Sequence, residues 1–242
     1  MRRFLDSAVV IGACTLSLLS SGCVKKVNVT GDEVKQSPEG KACPPTAMIS
    51  DAETANATLK HEGRGGYWYT FSDDAGSDVW PLPGAKGGTF EMSPGGAAGT
   101  KNGARMKGKI GTADVVYAGM GLNFVDPKGQ YDASKYQGIS FWAKKNPGST
   151  GNVRLKVPDV ATDPDGKMCS ACFNDFGYDL TITDDWQQFV IPFRVMKQVK
   201  GWGSPHTDGI DKSKIYGMQF QVNEKGAMFD IIIDEIQFTG CP

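Results

Sequence analysis

From Tyr216 to Asn223 the side chains alternate without a break. Tyr216, Met218, Phe220 and Val222 fall on one face, and Gly217, Gln219, Gln221 and Asn223 on the other. A period of two marks a half-buried strand, because successive Cβ atoms point to opposite faces of a sheet. Residues 138–143 and 152–157 repeat the pattern, and the runs 186–193 and 229–238 are strand-like. Gly87-Gly88, Pro94-Gly95-Gly96 and Asp163-Pro164-Asp165-Gly166 punctuate the chain as loops. There is no convincing amphipathic helix and no internal repeat. Many short strands with turns between them bury their apolar faces by stacking one sheet on another, so the expected fold is all-β, an antiparallel β-sandwich.

The first residues follow a different logic. Arg2 and Arg3 precede an apolar stretch from Ala8 to Leu19, and Ser20-Ser21-Gly22 leads into Cys23. A positive end, a short apolar core and small residues before a cut read as a secretory signal. The core is shorter than the ~20 residues that a membrane-spanning helix needs. Small residues directly before a cysteine resemble the lipobox of bacterial lipoproteins, although Ser20 stands where leucine is usual and Leu19 lies one place earlier. The expectation is export, cleavage before Cys23, lipidation there, and anchoring to a bacterial membrane, most readily the outer membrane. Residues 23–46 carry Lys25, Lys26, Asp32, Glu33, Lys35, Glu39 and Lys41 with three prolines and almost no large apolar residue, the composition of a flexible tether. The domain would then run from 47 to 242, after a signal at 1–22.

Charge is balanced at 26 basic against 27 acidic side chains, so no basic excess points to nucleic acid, and neutral polar partners are not disfavoured. A monomer is expected. With Cys14 removed in the signal and Cys23 lipidated, Cys43, Cys169, Cys172 and Cys241 remain, an even set for an oxidising compartment. Four cysteines allow three pairings. Cys43–Cys241 with Cys169–Cys172 is favoured, the first tying the ends of the domain together. Cys169-Ser170-Ala171-Cys172 as a redox pair or half a zinc site is disfavoured, since no βαβ pattern surrounds it and no second Cys-x-x-Cys exists.

Three segments carry a resemblance: Gly65-Gly66-Tyr67-Trp68-Tyr69-Thr70-Phe71, residues 131–144 (YDASKYQGISFWAK) and Phe229-Asp230-Ile231-Ile232-Ile233-Asp234-Glu235-Ile236. They resemble bacterial secreted proteins with a galactose-binding-like jelly roll, most nearly the family 11 carbohydrate-binding modules, over about Met48 to Phe238. The resemblance implies a non-catalytic module that binds β-glucan chains on one concave sheet, with a structural calcium. This jelly roll hosts many functions, so it speaks to fold better than to ligand.

Candidate sites follow from the strand faces. An antiparallel sheet has one core face and one wet face. The outward set would include Trp142 and Lys144, Arg154 and Lys156, then Gln219, Gln221 and Asn223. Sugars present hydroxyls at their edges and apolar C–H faces, which calls for amides and charged donors beside an aromatic platform. Tyr67 and Tyr69 share a strand face and are candidates to stack on sugar rings, whereas Trp68 between them is expected in the core. The candidate ligand-binding set is thus Tyr67, Tyr69, Trp142, Arg154, Gln219 and Gln221, for an extended neutral polysaccharide. Asp51 and Glu53 at the first strand and Asp234 in the last would meet if Cys43 bonds Cys241. They are the calcium candidates, the other possibility being acids that pin a loop by hydrogen bonds. Asp73, Asp74 and Asp78 read as a turn.

Two other classes compete. A glycoside hydrolase needs two carboxyl groups facing across a cleft. Asp230 and Asp234 share a strand face but lack an identified partner, and His61 and His206 stand alone in loops. No nucleophile elbow or zinc-protease helix occurs. The third class is a surface scaffold or adhesion protein that binds another protein.

Overall fold

The computed structural model describes residues 25–28, 43–54, 57–84 and 90–242. The signal segment 1–22, Cys23 and most of the expected tether lie outside the described residues. Among the described residues there are thirteen strands: β1 Lys25–Asn28, β2 Met48–Ser50, β3 Trp68–Ser72, β4 Asp78–Trp80, β5 Met92–Pro94, β6 Asn102–Lys109, β7 Ala118–Asn123, β8 Gly138–Lys145, β9 Asn152–Val157, β10 Phe176–Thr181, β11 Gln187–Pro192, β12 Gly217–Val222 and β13 Met228–Thr239. They form two sheets. One runs β1-β11-β8-β13-β6-β4, with β2 added to β13 and β5 to β6; the other runs β10-β9-β12-β7-β3. All pairings are antiparallel except β1 with β11.

The sheets stack because each supplies one apolar face. Met218, Phe220 and Val222 on β12, Leu155 on β9 and Met120 on β7 meet Ile139 and Phe141 on β8 and Phe229, Ile231 and Ile233 on β13, all buried. Phe141 stacks on Phe189 at 5.5 Å and meets Phe220 edge-on at 5.0 Å, which ties one sheet to the other. Trp68 is fully buried, as its position between two outward tyrosines requires, and its indole N–H donates to Ser50 Oγ at 3.2 Å.

The last strand keeps its face through a bulge. The ladder between β13 and β8 shifts between Asp234 and Gln237, and Glu235 sits at φ 50°. The extra residue resets the alternation so that Ile236 and Phe238 point inward like Ile231 and Ile233 before them.

Both expected disulfides are present. Cys43 and Cys241, 198 residues apart, join with a Cα–Cα distance of 5.3 Å, and Cys169 joins Cys172. Closing so long a loop is worth about 5 kcal/mol at most on chain entropy. Buried Arg64 donates to Tyr131 Oη at 2.6 Å and to the carbonyls of Thr46 and Met48 at 2.5 and 2.9 Å. The tether expectation needs correction at Lys25–Asn28, whose backbone pairs in parallel with Gln187–Val190. A strand forms there despite the polar composition because β11 offers an unpaired edge of backbone donors and acceptors.

Candidate functional site

The outer face of the five-stranded sheet is built from two rows. Reading across β3, β7, β12, β9 and β10, the first row is Tyr69, Gly121, Gln219, Lys156, Gly177. The second is Phe71, Gly119, Gln221, Arg154, Asp179. The glycines make room for flat groups. A Cβ on Gly121 would lie 2.7 Å from the Tyr69 ring, one on Gly119 2.6 Å from the Phe71 ring, and one on Gly177 2.9 Å from the Arg154 guanidinium. Two aromatic rings and a guanidinium therefore lie on the sheet floor in space that any larger residue would claim.

An aromatic ribbon runs along the β3 side. Ring centroids are 6.4 Å apart from Tyr67 to Tyr69, 6.2 Å from Tyr69 to Phe71, and 6.3 Å from Phe71 to Tyr117. Gln219 Nε2 donates to Tyr69 Oη at 2.9 Å and fixes the ring. Burial pushes the Tyr69 hydroxyl well above its ordinary range, so it stays protonated. Loops raise walls on the sheet and enclose a cleft of about 1180 Å³, bordered also by Tyr117, Asp175, Phe173 and Trp202. Arg154 borders a second depression of about 460 Å³ beyond it, with Asp179 and Lys197.

Charges in the cleft are compensated. Among the described residues the cations lining it are Lys128, Arg154, Lys156 and Lys225. Lys128 pairs with Asp163 at 2.7 Å, Arg154 with Asp179 at 2.8 Å, Lys156 with Asp175 at 3.0 Å and Lys225 with Asp114 at 3.4 Å. Arg154 Nη2 also donates to the Lys197 carbonyl at 2.5 Å, and Lys156 Nζ to Gln221 Oε1 at 3.2 Å. The site offers hydrogen-bonding groups and paired ions beside rings.

Most of the sequence-derived set converges here: Tyr67, Tyr69, Arg154, Gln219 and Gln221 all line the cleft, as do Lys156 and Asn223. Trp142 does not, and that assignment is corrected. Trp142 and Lys144 lie on β8 in the other sheet, where Trp142 stands between Gln188 and Asp234 with the whole core between it and the cleft. Alternation gives the face of a strand but not the sheet to which it belongs. Residues missed were Phe71, Tyr117, Phe173, Trp202 and Asp175. Two signals were present: the Tyr67–Tyr69 alternation continues to Phe71, and Ala118-Gly119-Met120-Gly121-Leu122 places glycine at each outward position of a strand. Phe173 and Trp202 stand in loops and carry no periodic signal.

The acids at the joined ends act on a loop. Glu53 Oε1 accepts from the backbone N–H of Lys101 and Asn102 at 2.7 and 2.9 Å. Asp234 Oδ2 accepts from Ala97 N–H at 2.8 Å and Thr100 Oγ1 at 2.6 Å, and Oδ1 from Glu235 N–H at 2.7 Å. Asp51 Oδ1 accepts from Glu53 N–H at 3.0 Å. Burial raises the Asp234 carboxyl above its ordinary range, against these donors and with the Glu53 charge adding to the rise. Among the described residues no group of three or more His, Cys, Asp or Glu converges to hold a metal. N–H donors occupy the carboxylates where calcium would want six to eight oxygens, so this arrangement fits a hydrogen-bond clamp on residues 95–102 and not the expected calcium cage. Asp230 is likewise engaged, held bidentate by Arg105 at 2.7 and 2.6 Å, which draws its carboxyl below the ordinary range against the effect of burial. Asp73 is the turn residue expected, accepting from Ala75 and Ser77 N–H.

No protein-family model and no curated protein sequence matches this chain. Solved structures do. The family 11 carbohydrate-binding module of the cellulosomal cellulase Lic26A-Cel5E of Clostridium thermocellum aligns with a TM-score of 0.56 and 21% identity, over 80% of this chain and 94% of that one. A family 11 module from the same organism in complex with a β-1,3-1,4-mixed-linked tetrasaccharide gives 0.56 and 21%, over 81% and 95%. The family 30 module of the cellulosomal cellulase Cel9D-Cel44B of C. thermocellum gives 0.52 and 13%, over 80% and 96%. At these identities the shared property is the sandwich fold.

Proposed function

We propose that this chain is a non-catalytic binding protein for an extended neutral polysaccharide, β-glucan-like, which lies across the five-stranded sheet. The observation that carries the reading is the pairing of an aromatic ribbon with a row of amides and compensated cations in one cleft. Tyr67, Tyr69, Phe71 and Tyr117 offer rings for the C–H faces of sugars, and Gln219, Gln221, Arg154 and Lys156 offer donors and acceptors for hydroxyls. Charge compensation favours a neutral ligand, because an anionic chain would have to compete with four carboxylates for these cations. The fold shared with modules such as the one solved with a tetrasaccharide supports the same reading. A hydrolase is disfavoured by the engagement of Asp230 with Arg105 and of Asp234 with the 95–102 loop, since neither carboxylate is poised across the cleft.

The reading includes export and a lipid on Cys23, supported by Ser20-Ser21-Gly22-Cys23. Lys25 is two residues beyond Cys23 and already pairs with β11.

Isothermal titration of the full chain in detergent with soluble β-1,3-1,4-glucan tests the binding reading. Saturable binding that weakens in Gln219→Ala and Tyr69→Ala without loss of melting temperature is the expected result. Release of reducing ends over time, or no interaction with any neutral glycan, overturns it.

A further inference from the structure

The outer face of the eight-stranded sheet lies across the core from the cleft and also carries rings and cations, in a different arrangement. Three of the five tryptophans lie on it. Trp142 stands in the ladder between Gln188 and Asp234, and Trp80 is paired with Lys107 and 40% exposed. Trp186 reaches the same face. Gly103 is an outward position of β6, since Ala104 and Met106 point into the core, and a Cβ on it would lie 3.8 Å from the Trp186 ring.

Two of these rings hold an ammonium. Lys107 Nζ lies 4.8 Å from the centroid of Trp80, and Lys144 Nζ 5.2 Å from that of Trp186. A ring face attracts a cation through its quadrupole without neutralising it. The contrast with the cleft lies in the counter-ions. Each cation lining the cleft is paired with a carboxylate, whereas among the described residues neither Lys107 nor Lys144 forms an ion pair. The acids on this face are engaged. Asp230, beside Lys107 in the ladder, is held by Arg105, and Asp234 by the 95–102 loop. Asp78 stands opposite Lys109.

Sheet geometry sets the two free ammonium groups apart. Lys144 and Arg105 flank Ile232 of β13, and Lys107 is two residues beyond Arg105 on β6. With strands about 4.8 Å apart and about 6.8 Å per two residues, the Cα atoms of Lys144 and Lys107 are about 12 Å apart. Arg105 stands between them with its charge already met by Asp230. A chain crossing this face therefore meets a cation, a neutral pair and a second cation.

We propose that this face is a second binding surface, for an extended acidic polysaccharide whose anions are separated by neutral sugars. Its uronate or sulfate groups pair with Lys107 and Lys144, and its rings pack their C–H faces against Trp80 and Trp186. A nucleic acid, with an anion on every unit, would set one of them against Asp230. A bilayer calls for apolar side chains that project, but Trp142 and Trp186 are half-buried and Ile232 is buried. The proposal uses no residue of the cleft and is independent of the neutral-polysaccharide reading.

The full chain in non-ionic detergent is titrated with hyaluronan oligosaccharides, which alternate a uronate with a neutral sugar. Saturable binding that weakens as salt rises is the expected result. Lys107→Met with Lys144→Met should weaken it about tenfold, the loss of two exposed ion pairs, with the melting temperature and the affinity for β-1,3-1,4-glucan unchanged. Lys107→Arg with Lys144→Arg keeps the charge and should retain binding. Trp80→Leu should lower hyaluronan affinity roughly three- to tenfold, and Tyr69→Ala should leave it as in wild type. No hyaluronan binding at low salt, wild-type affinity in the lysine-to-methionine variant, or displacement of hyaluronan by saturating glucan overturns the second surface. An equal, lysine-dependent affinity for single-stranded oligonucleotides or phosphatidylglycerol vesicles overturns its assignment to an acidic sugar polymer. Failure to bind glucan while hyaluronan still binds overturns the cleft reading and leaves this one standing.

Discussion

Gly121→Ala isolates the function of the cleft floor from the stability of the core. The added Cβ would sit 2.7 Å from Cζ and Oη of Tyr69 and 3.0 Å from Cγ of Gln219, and nothing else lies as near. All three atoms belong to side chains on the outer face, so the conflict is relieved by swinging the Tyr69 ring off the floor. The 2.9 Å bond from Gln219 is lost with it. A hydrogen bond of this kind is worth about 1 kcal/mol. Replacing a strand glycine by alanine returns about 0.5–1 kcal/mol by restricting the unfolded chain. The two nearly cancel, and at 2–4 °C per kcal/mol the melting temperature should stay within about 4 °C of wild type.

Binding should respond differently. Loss of a stacking ring removes about 0.5–1.5 kcal/mol, and loss of the oriented hydroxyl and amide about 1 kcal/mol more. The sum, about 1.5–2.5 kcal/mol, corresponds to a roughly ten- to seventy-fold weaker Kd. Titration calorimetry with soluble β-1,3-1,4-glucan and a thermal melt of the same preparation are the two measurements. Wild-type affinity with an unchanged melt would mean that Tyr69 is not a platform. A melting temperature lowered by more than about 8 °C would mean that the ring belongs to the packing of the sandwich, and any loss of binding would then be secondary.

Two further outcomes concern the chain outside the cleft. Cys23→Ala should move the protein from the membrane to the soluble fraction and remove the mass of its acyl groups. If acyl chains are attached there, they would supply the anchor at about 0.8 kcal/mol per buried CH₂, so unchanged fractionation and mass would reject lipidation. Millimolar calcium added after chelation should leave the melting temperature unchanged, because Glu53 and Asp234 already bind the 95–102 loop through N–H and O–H donors. A rise would show that the loop turns its carbonyls inward to ligate the ion, which stabilises only the folded state.

The difference between what the sequence disclosed and what it withheld follows the range of the interactions. Alternation is a property of neighbours, so the core faces of β9 and β12, the burial of Trp68 and the outward set Arg154, Lys156, Gln219 and Gln221 were all legible from residue order. An even set of cysteines pointed to disulfides without choosing among three pairings, and the favoured one, Cys43–Cys241 with Cys169–Cys172, is the one present. Sheet membership depends on pairing between distant strands, and there Trp142 was misplaced: β8 alternates as cleanly as β9, and only its hydrogen bonds to β11 and β13 put it on the opposite side of the core. The acids Glu53 and Asp234 were correctly brought to one place by the joined termini. Their partners are backbone amides of a loop between them, and amides leave no mark on a sequence. The same limit explains Phe173 and Trp202, whose positions come from the side chain of Asn174 and a short disulfide rather than from any period. The features tied to recognition thus fall into two physical groups. A regular floor is written in strand alternation and in the glycines of β7, and a wall is set by long-range hydrogen bonds. On the binding reading proposed above, the floor would supply general affinity for flat sugar faces and the wall the selectivity among them.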